Sequence, residues 1–136
     1  MAHVVSSRLF VPLSSLPFWQ FEQGYKEYEL RHHGRQYTEK NVYAGRPVEL
    51  RKGYSGKSLW GVIGEVRVGE LEALLSAVDY RKVEPTTGGV KYAAMVNREQ
   101  MGDAERWILF RIKLSLPSVD SSSSNAQSLN RGPFLL

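Results

Sequence analysis

Residues 24–31 read "GYKEYELR", with Lys26, Glu27, Glu29 and Arg31 among two tyrosines and a leucine. From Tyr28 onward the side chains alternate, with Tyr28 and Leu30 on one pleat face and Glu29 and Arg31 on the other, which predicts a strand. Lys26 has the parity of Tyr28, so in an unbroken strand its ammonium would point away from Glu29 and Arg31. The three charged heads converge only if the chain bends at the start of this stretch. Gly24 makes such a bend inexpensive, because glycine enters the left-handed region without a Cβ clash.

Working outward, "RLFVPL" (8–13) predicts a short apolar strand ended by Ser14-Ser15. Ser15 can cap a helix over 15–23, in which the early Pro17 is tolerated and Phe18 and Phe21 share a face. Residues 32–45 carry polar and turn-forming types and predict a long basic loop. "PVELRK" (47–52) alternates again, with Val48 and Leu50 inward and Glu49 and Arg51 outward. "GYSG" (53–56) is a turn, and "SLWGVIGEVRV" (58–68) is a long strand presenting Trp60, Val62, Val66 and Val68 on one side. Two such strands around a glycine-bearing turn predict an antiparallel hairpin.

Leu71, Leu74, Leu75 and Val78 follow at i, i+3, i+4 and i+7, the spacing of an amphipathic helix. Residues 78–89, with Pro85 and Gly88-Gly89, predict a loop, and a second helix follows over about 90–101 with Val90, Ala94 and Met95 as its stripe. "ERWILFRIKL" predicts a closing strand with Ile108, Phe110, Ile112 and Leu114 on one face. The serine-rich residues 117–136 read as a disordered tail beyond one domain over 1–116. The order of elements gives an α+β domain, a small, partly closed mixed or antiparallel β-barrel of about five strands with three short helices.

The 136 residues suffice for one core, and 42% hydrophobic with 24% charged residues is the balance of a soluble globular protein. No apolar run approaches the ~20 residues of a membrane span, and no leader pattern stands at the N-terminus, so the expected localisation is cytoplasmic. There is no cysteine, which excludes disulfides and thiolate chemistry. The adjacent His32 and His33 lack the spacing of a helical metal pair, so neither metal nor cofactor is expected. Eight basic and four acidic side chains between residues 24 and 57 carry the chain's whole formal charge of +4. Concentration of charge in one quarter of the chain is what a polyanion-facing surface needs, although a solvated basic face has the same composition.

Gly24, Lys26, Glu29 and Arg31 form a G-x-K-x-x-E-x-R pattern behind a strand and helix and before the basic loop. In that placement, from about residue 7 to residue 114, the chain resembles the ASCH family, whose members have a fold similar to the PUA domains of RNA-modifying proteins. The resemblance implies a PUA-like barrel and a nucleic-acid-binding module, for RNA first, whose charged cleft is lined by Lys26, Glu29 and Arg31. A lysine and an arginine beside a carboxylate leave donors free for a phosphate or a base edge. The basic segment interleaves charge and rings at Arg35, Tyr37, Arg51, Lys52, Tyr54 and Lys57, which suits phosphate contacts and base stacking.

Some small bacterial relatives of that family are amidohydrolases that deacetylate N4-acetylcytidine, and this supplies the alternative function. Lys26 matches their lysine and Glu84 in "KVEPTT" their loop carboxylate, whereas Glu29 stands where their threonine nucleophile would be. Hydrolysis here would therefore need Glu29 or Glu84 to activate water and Lys26 to polarise the carbonyl; Thr86 or Thr87 is the other candidate nucleophile, though nothing in the sequence places either beside Lys26. A third expectation is an adaptor domain that docks another protein through the tail. The partners expected are nucleic acid or a small nucleoside, and no membrane.

Overall fold

A five-stranded mixed sheet, in the order β1-β3-β4-β5-β2, curls into a half-barrel in the computed structural model, which describes residues 7–115. The strands are β1 (Leu9–Leu13), β2 (Tyr28–His32), β3 (Pro47–Lys52), β4 (Ser58–Gly69) and β5 (Trp107–Leu114). Three helices complete the α+β fold: α1 (Ser15–Gln23), α2 (Leu71–Ala77) and α3 (Val90–Met101), with a 3-10 turn over Tyr80–Lys82 inside the expected 78–89 loop. Strands β1 and β3 pair in parallel and the other neighbours are antiparallel, including the β3–β4 hairpin. The expected tail at 117–136 lies outside the described residues.

Strand β5 is the spine of the molecule. Its even side chains Ile108, Phe110 and Ile112 join Val11, Val48, Leu50 and Ile63 in a core inside the half-barrel, into which α1 inserts Phe18 and Phe21. Its odd side chains Trp107 and Leu109 join Tyr28, Leu30 and the leucines of α2 in a second core, roofed by Ala93 and Ala94 of α3. Burial on both faces is why "WILF" reads as an unbroken apolar run.

The expected single face of Trp60, Val62, Val66 and Val68 is corrected. A register shift between Ile63 and Val66 inserts a bulge at Gly64-Glu65, and an extra residue reverses the parity of everything after it. Ile63 before the bulge and Val66 and Val68 after it therefore face the barrel core, while Trp60 and Val62 are exposed. In α3 the stripe is Ala93, Ala94 and Asn97, and Met95 faces outward. At α1 the N-cap is Ser14, not Ser15; its side chain makes no capping bond, and its carbonyl accepts from Phe18 N–H.

Glu49 lies opposite Val48 and Leu50 as alternation requires, yet it is 1% exposed and not solvated. Burial alone would raise its pKa, but hydrogen bonds from Ser58, Arg8 and Arg51 outweigh that and hold the carboxyl at about 2. A depressed carboxyl pKa contributes stability that is present above the unfolded value and is lost as pH falls through the folded one. The chain is accordingly expected to lose stability as pH drops from about 4.5 towards about 2. Glu49→Gln should flatten that part of an acid melting series and cost roughly 1–3 kcal/mol at neutral pH, because the buried acceptor loses its charge-assisted hydrogen bonds to Arg8 and Arg51. A variant with the wild-type pH profile would show that the network carries no net stability.

Candidate functional site

Gly24 ends α1 at φ 83°, in the left-handed region. The carbonyl of Gln20 then accepts from the N–H groups of both Tyr25 and Lys26, at 2.9 and 3.1 Å. This folds the chain back before β2 begins, so Lys26 is outside the pleat and its parity no longer matters. The bend that the sequence required is present, and it turns the Lys26 side chain under the sheet to the same hollow as Glu29.

Lys26 is 8% exposed and Glu29 6%. The ammonium donates to the Val83 carbonyl, lies 3.7 Å from Glu29 Oε1 and sits 5.4 Å from the centre of the Phe21 ring. Burial lowers the Lys26 pKa from the ordinary lysine value, and the charges of Glu29 and Glu84 oppose the shift. Arg31 Nε donates to Glu29 Oε2 at 2.6 Å, so the carboxylate is held between two cations. The same guanidinium lies over the Tyr37 ring, donates through Nη1 to the Tyr37 hydroxyl and through Nη2 to the Pro12 carbonyl, both at 3.0 Å.

Lys26, Glu29, Arg31 and Glu84 line one cleft of about 500 Å³, together with Asn97 and residues of the β1–α1 corner. That volume is in the range of small-ligand sites. Burial raises the Glu84 pKa, against the pull of Lys26 and a hydrogen bond from Asn97 Nδ2 at 3.3 Å. Asn97 was not anticipated. It belongs to the buried stripe of α3 at three residues from Ala94, and a polar residue in an otherwise apolar stripe was the available signal; assigning that stripe to Met95 concealed it.

The remaining candidates separate into two groups. Arg35 and Tyr37 line a neighbouring cavity of about 760 Å³, and Tyr37 is itself a core residue stacked on Phe110. Arg51, Lys52, Tyr54 and Lys57 lie on the β3–β4 hairpin, outside both cavities. There Arg51 is bonded to Glu49 and to the Tyr54 carbonyl, and Lys57 pairs with Glu22 at 2.6 Å. Lys52 is exposed, and Tyr54 projects at 77% exposure. Thr86 and Thr87 line a different groove with Tyr25 and Arg81, away from the Lys26 cleft. His32 donates to the Gly102 carbonyl and His33 to Glu39, so the two rings diverge. No helix among the described residues is long and apolar enough to cross a membrane.

No protein-family model and no curated protein matches the chain. Among solved structures it is similar to the crystal structure of hypothetical protein PH0355, at 16% identity and a TM-score of 0.65, over 80% of this chain and 100% of that one. It is also similar to the solution NMR structure of protein PF0455 from Pyrococcus furiosus, at 15% identity and a TM-score of 0.55, over 79% and 97% of the two chains. The shared property is the α+β half-barrel.

Arg31 ties β2 to Glu29, to Tyr37 and to β1 at once. Arg31→Lys keeps the charge but not the planar fork. It is expected to lower the unfolding free energy by roughly 1–3 kcal/mol in denaturant melts and to speed amide exchange in β1. An unchanged midpoint together with unchanged β1 exchange would rule out a stabilising role for the fork.

Proposed function

We propose that the chain is a nucleic-acid-binding module of ASCH, PUA-like type, with RNA as its ligand, and that the cleft at Lys26, Glu29 and Arg31 receives a base. The observation that carries this reading is the convergence of the three motif side chains on one concave site. Inside it, a buried ammonium and a buried carboxylate 3.7 Å apart offer a donor beside an acceptor, the complement of a nucleobase edge. Arg31 is committed to internal partners through Nε, Nη1 and Nη2. Its main contribution is therefore to hold the Glu29 carboxylate in one orientation, which is what discrimination by hydrogen bonding requires. Outside the cleft, Lys52 and Tyr54 on the β3–β4 hairpin supply an exposed charge and an exposed ring of the kind that track a single strand.

Binding to single-stranded RNA is expected to be measurable at low salt, with the logarithm of the affinity falling linearly with the logarithm of salt concentration. Lys26→Met keeps the aliphatic stem and removes the charge, and should weaken binding by about 10-fold or more. Because the Lys26 pKa is lowered, affinity should also decline with rising pH before an ordinary lysine would titrate. RNA binding that is undetectable at low salt in the folded wild-type chain would sink the proposal.

One observation favours the amidohydrolase alternative, namely that Glu84 lines the same cleft as Lys26. Their pKa values are shifted towards each other, raised for Glu84 and lowered for Lys26, which is the direction that proton transfer uses. In this reading a glutamate takes a proton from water, the resulting hydroxide adds to the acetyl carbonyl polarised by Lys26, and the glutamate returns that proton to the leaving nitrogen as the C–N bond breaks to give acetate and the free amine. The expected result is acetate release from N4-acetylcytidine that is abolished by Lys26→Met. No turnover by wild-type protein removes the alternative and leaves the binding proposal standing.

A further inference from the structure

The motif cleft does not end at Arg31. The cavity of about 760 Å³ beside it is lined by residues 31–37 and Met101, so Arg31 and Met101 line both hollows and the two are adjacent. Their linings differ in charge. The motif cleft is mixed in charge, with the carboxylates Glu29 and Glu84 beside the cations Lys26 and Arg31. The second cavity has no aspartate or glutamate in its lining, and has Arg31, His32, His33 and Arg35. Glu39, the acidic neighbour of this region, is bonded to His33 at 2.6 Å.

Arg35 differs from three nearby arginines. The guanidiniums of Arg31, Arg46 and Arg51 are all bonded to protein acceptors. The Arg35 guanidinium makes no hydrogen bond or ion pair among the described residues. Its backbone is also at φ 54°, the sole non-glycine among the described residues at a positive φ. The turn that imposes this is closed by reciprocal bonds, Gly34 N–H to Tyr37 O at 3.0 Å and Tyr37 N–H to Gly34 O at 2.8 Å. Glycine or asparagine is the residue usually found at such a position. An exposed arginine held there against the local preference, without a protein partner and beside a cavity free of carboxylates, is available to an anionic ligand.

We propose that the ligand is single-stranded RNA at least two nucleotides long, seated in both hollows, with its base in the carboxylate-bearing cleft and its phosphate in the carboxylate-free cavity against Arg35. This rests on the reading of the motif cleft as a base site and extends it, because it makes a free nucleoside an incomplete ligand. Arg31, between the hollows, separates the part of the ligand that is read from the part that is only held.

The test compares a single-stranded RNA hexamer with free ribonucleosides on the full chain, in wild type, Arg35→Gly, Arg35→Lys and Lys26→Met. Glycine adopts a positive φ freely, so Arg35→Gly should melt no lower than wild type. It should bind the hexamer about 10-fold more weakly and with a salt slope smaller by about 0.7. Arg35→Lys should keep most of the slope, and wild type should bind the hexamer more tightly than any nucleoside. Wild-type affinity and slope in Arg35→Gly, with binding still dependent on Lys26, would overturn this inference and spare the base site. Nucleosides that bind as tightly as the hexamer would do the same. No hexamer binding by wild type at low salt would remove both.

Discussion

A single guanidinium governs the geometry of this protein. In the sheet order β1-β3-β4-β5-β2 the outer strands β1 and β2 have no ladder between them, and an open edge exposes unpaired backbone groups. Arg31 reaches across that opening to the Pro12 carbonyl while fixing the Glu29 carboxylate and the Tyr37 hydroxyl. Barrel closure and cleft chemistry thus depend on the same side chain. The motif residues cannot be divided cleanly into structural and functional ones, and a substitution at Arg31 alters both properties together.

The other two motif charges are arranged by equally local causes. The left-handed residue at Gly24 and the double acceptor at Gln20 withdraw Lys26 from the strand register. Glu29 enters the barrel because its pleat partner in β5 is Phe110, a residue of the inner core. A carboxylate directed into an apolar barrel requires compensation, and the flanking ammonium and guanidinium provide it. The ion triad is what allows a polar floor to exist at the end of a hydrophobic barrel.

Much of this was legible in the amino-acid order. Alternation at Tyr28–Arg31 and at Val48–Arg51 and the i, i+3, i+4 leucines of α2 follow from a period that one face imposes, the apolar run of β5 follows from burial on both faces, and each recurs in the fold, whereas Val78, expected at i+7, lies just beyond the end of α2. The spacing of Gly24, Lys26, Glu29 and Arg31 brought the cleft residues into view, including the condition that the chain must bend. What was hidden depends on contacts remote in sequence. The bulge at Gly64-Glu65 reverses a parity that no local pattern announces. Glu49 accepts a hydrogen bond from Arg8, 41 residues away, and alternation cannot foresee a partner of that origin. Among the basic residues 35–57 the sequence gives no means of telling Arg51, already engaged with Glu49, from Arg35, which has no such engagement.

The irregularity in β4 also determines how far apart the rims of the sheet lie. Five strands laid flat at about 4.8 Å spacing would put β1 and β2 roughly 19 Å apart, well beyond the span of one arginine. A bulged strand bends and twists more strongly than a regular one, and β4 stands at the middle of the five. The inserted residue that turns Val66 and Val68 into the core therefore also adds bend to the central strand of a sheet whose two rims are linked by one side chain. A slack or missing roll would leave the motif spread along an open shelf, with its charges facing solvent and not one another.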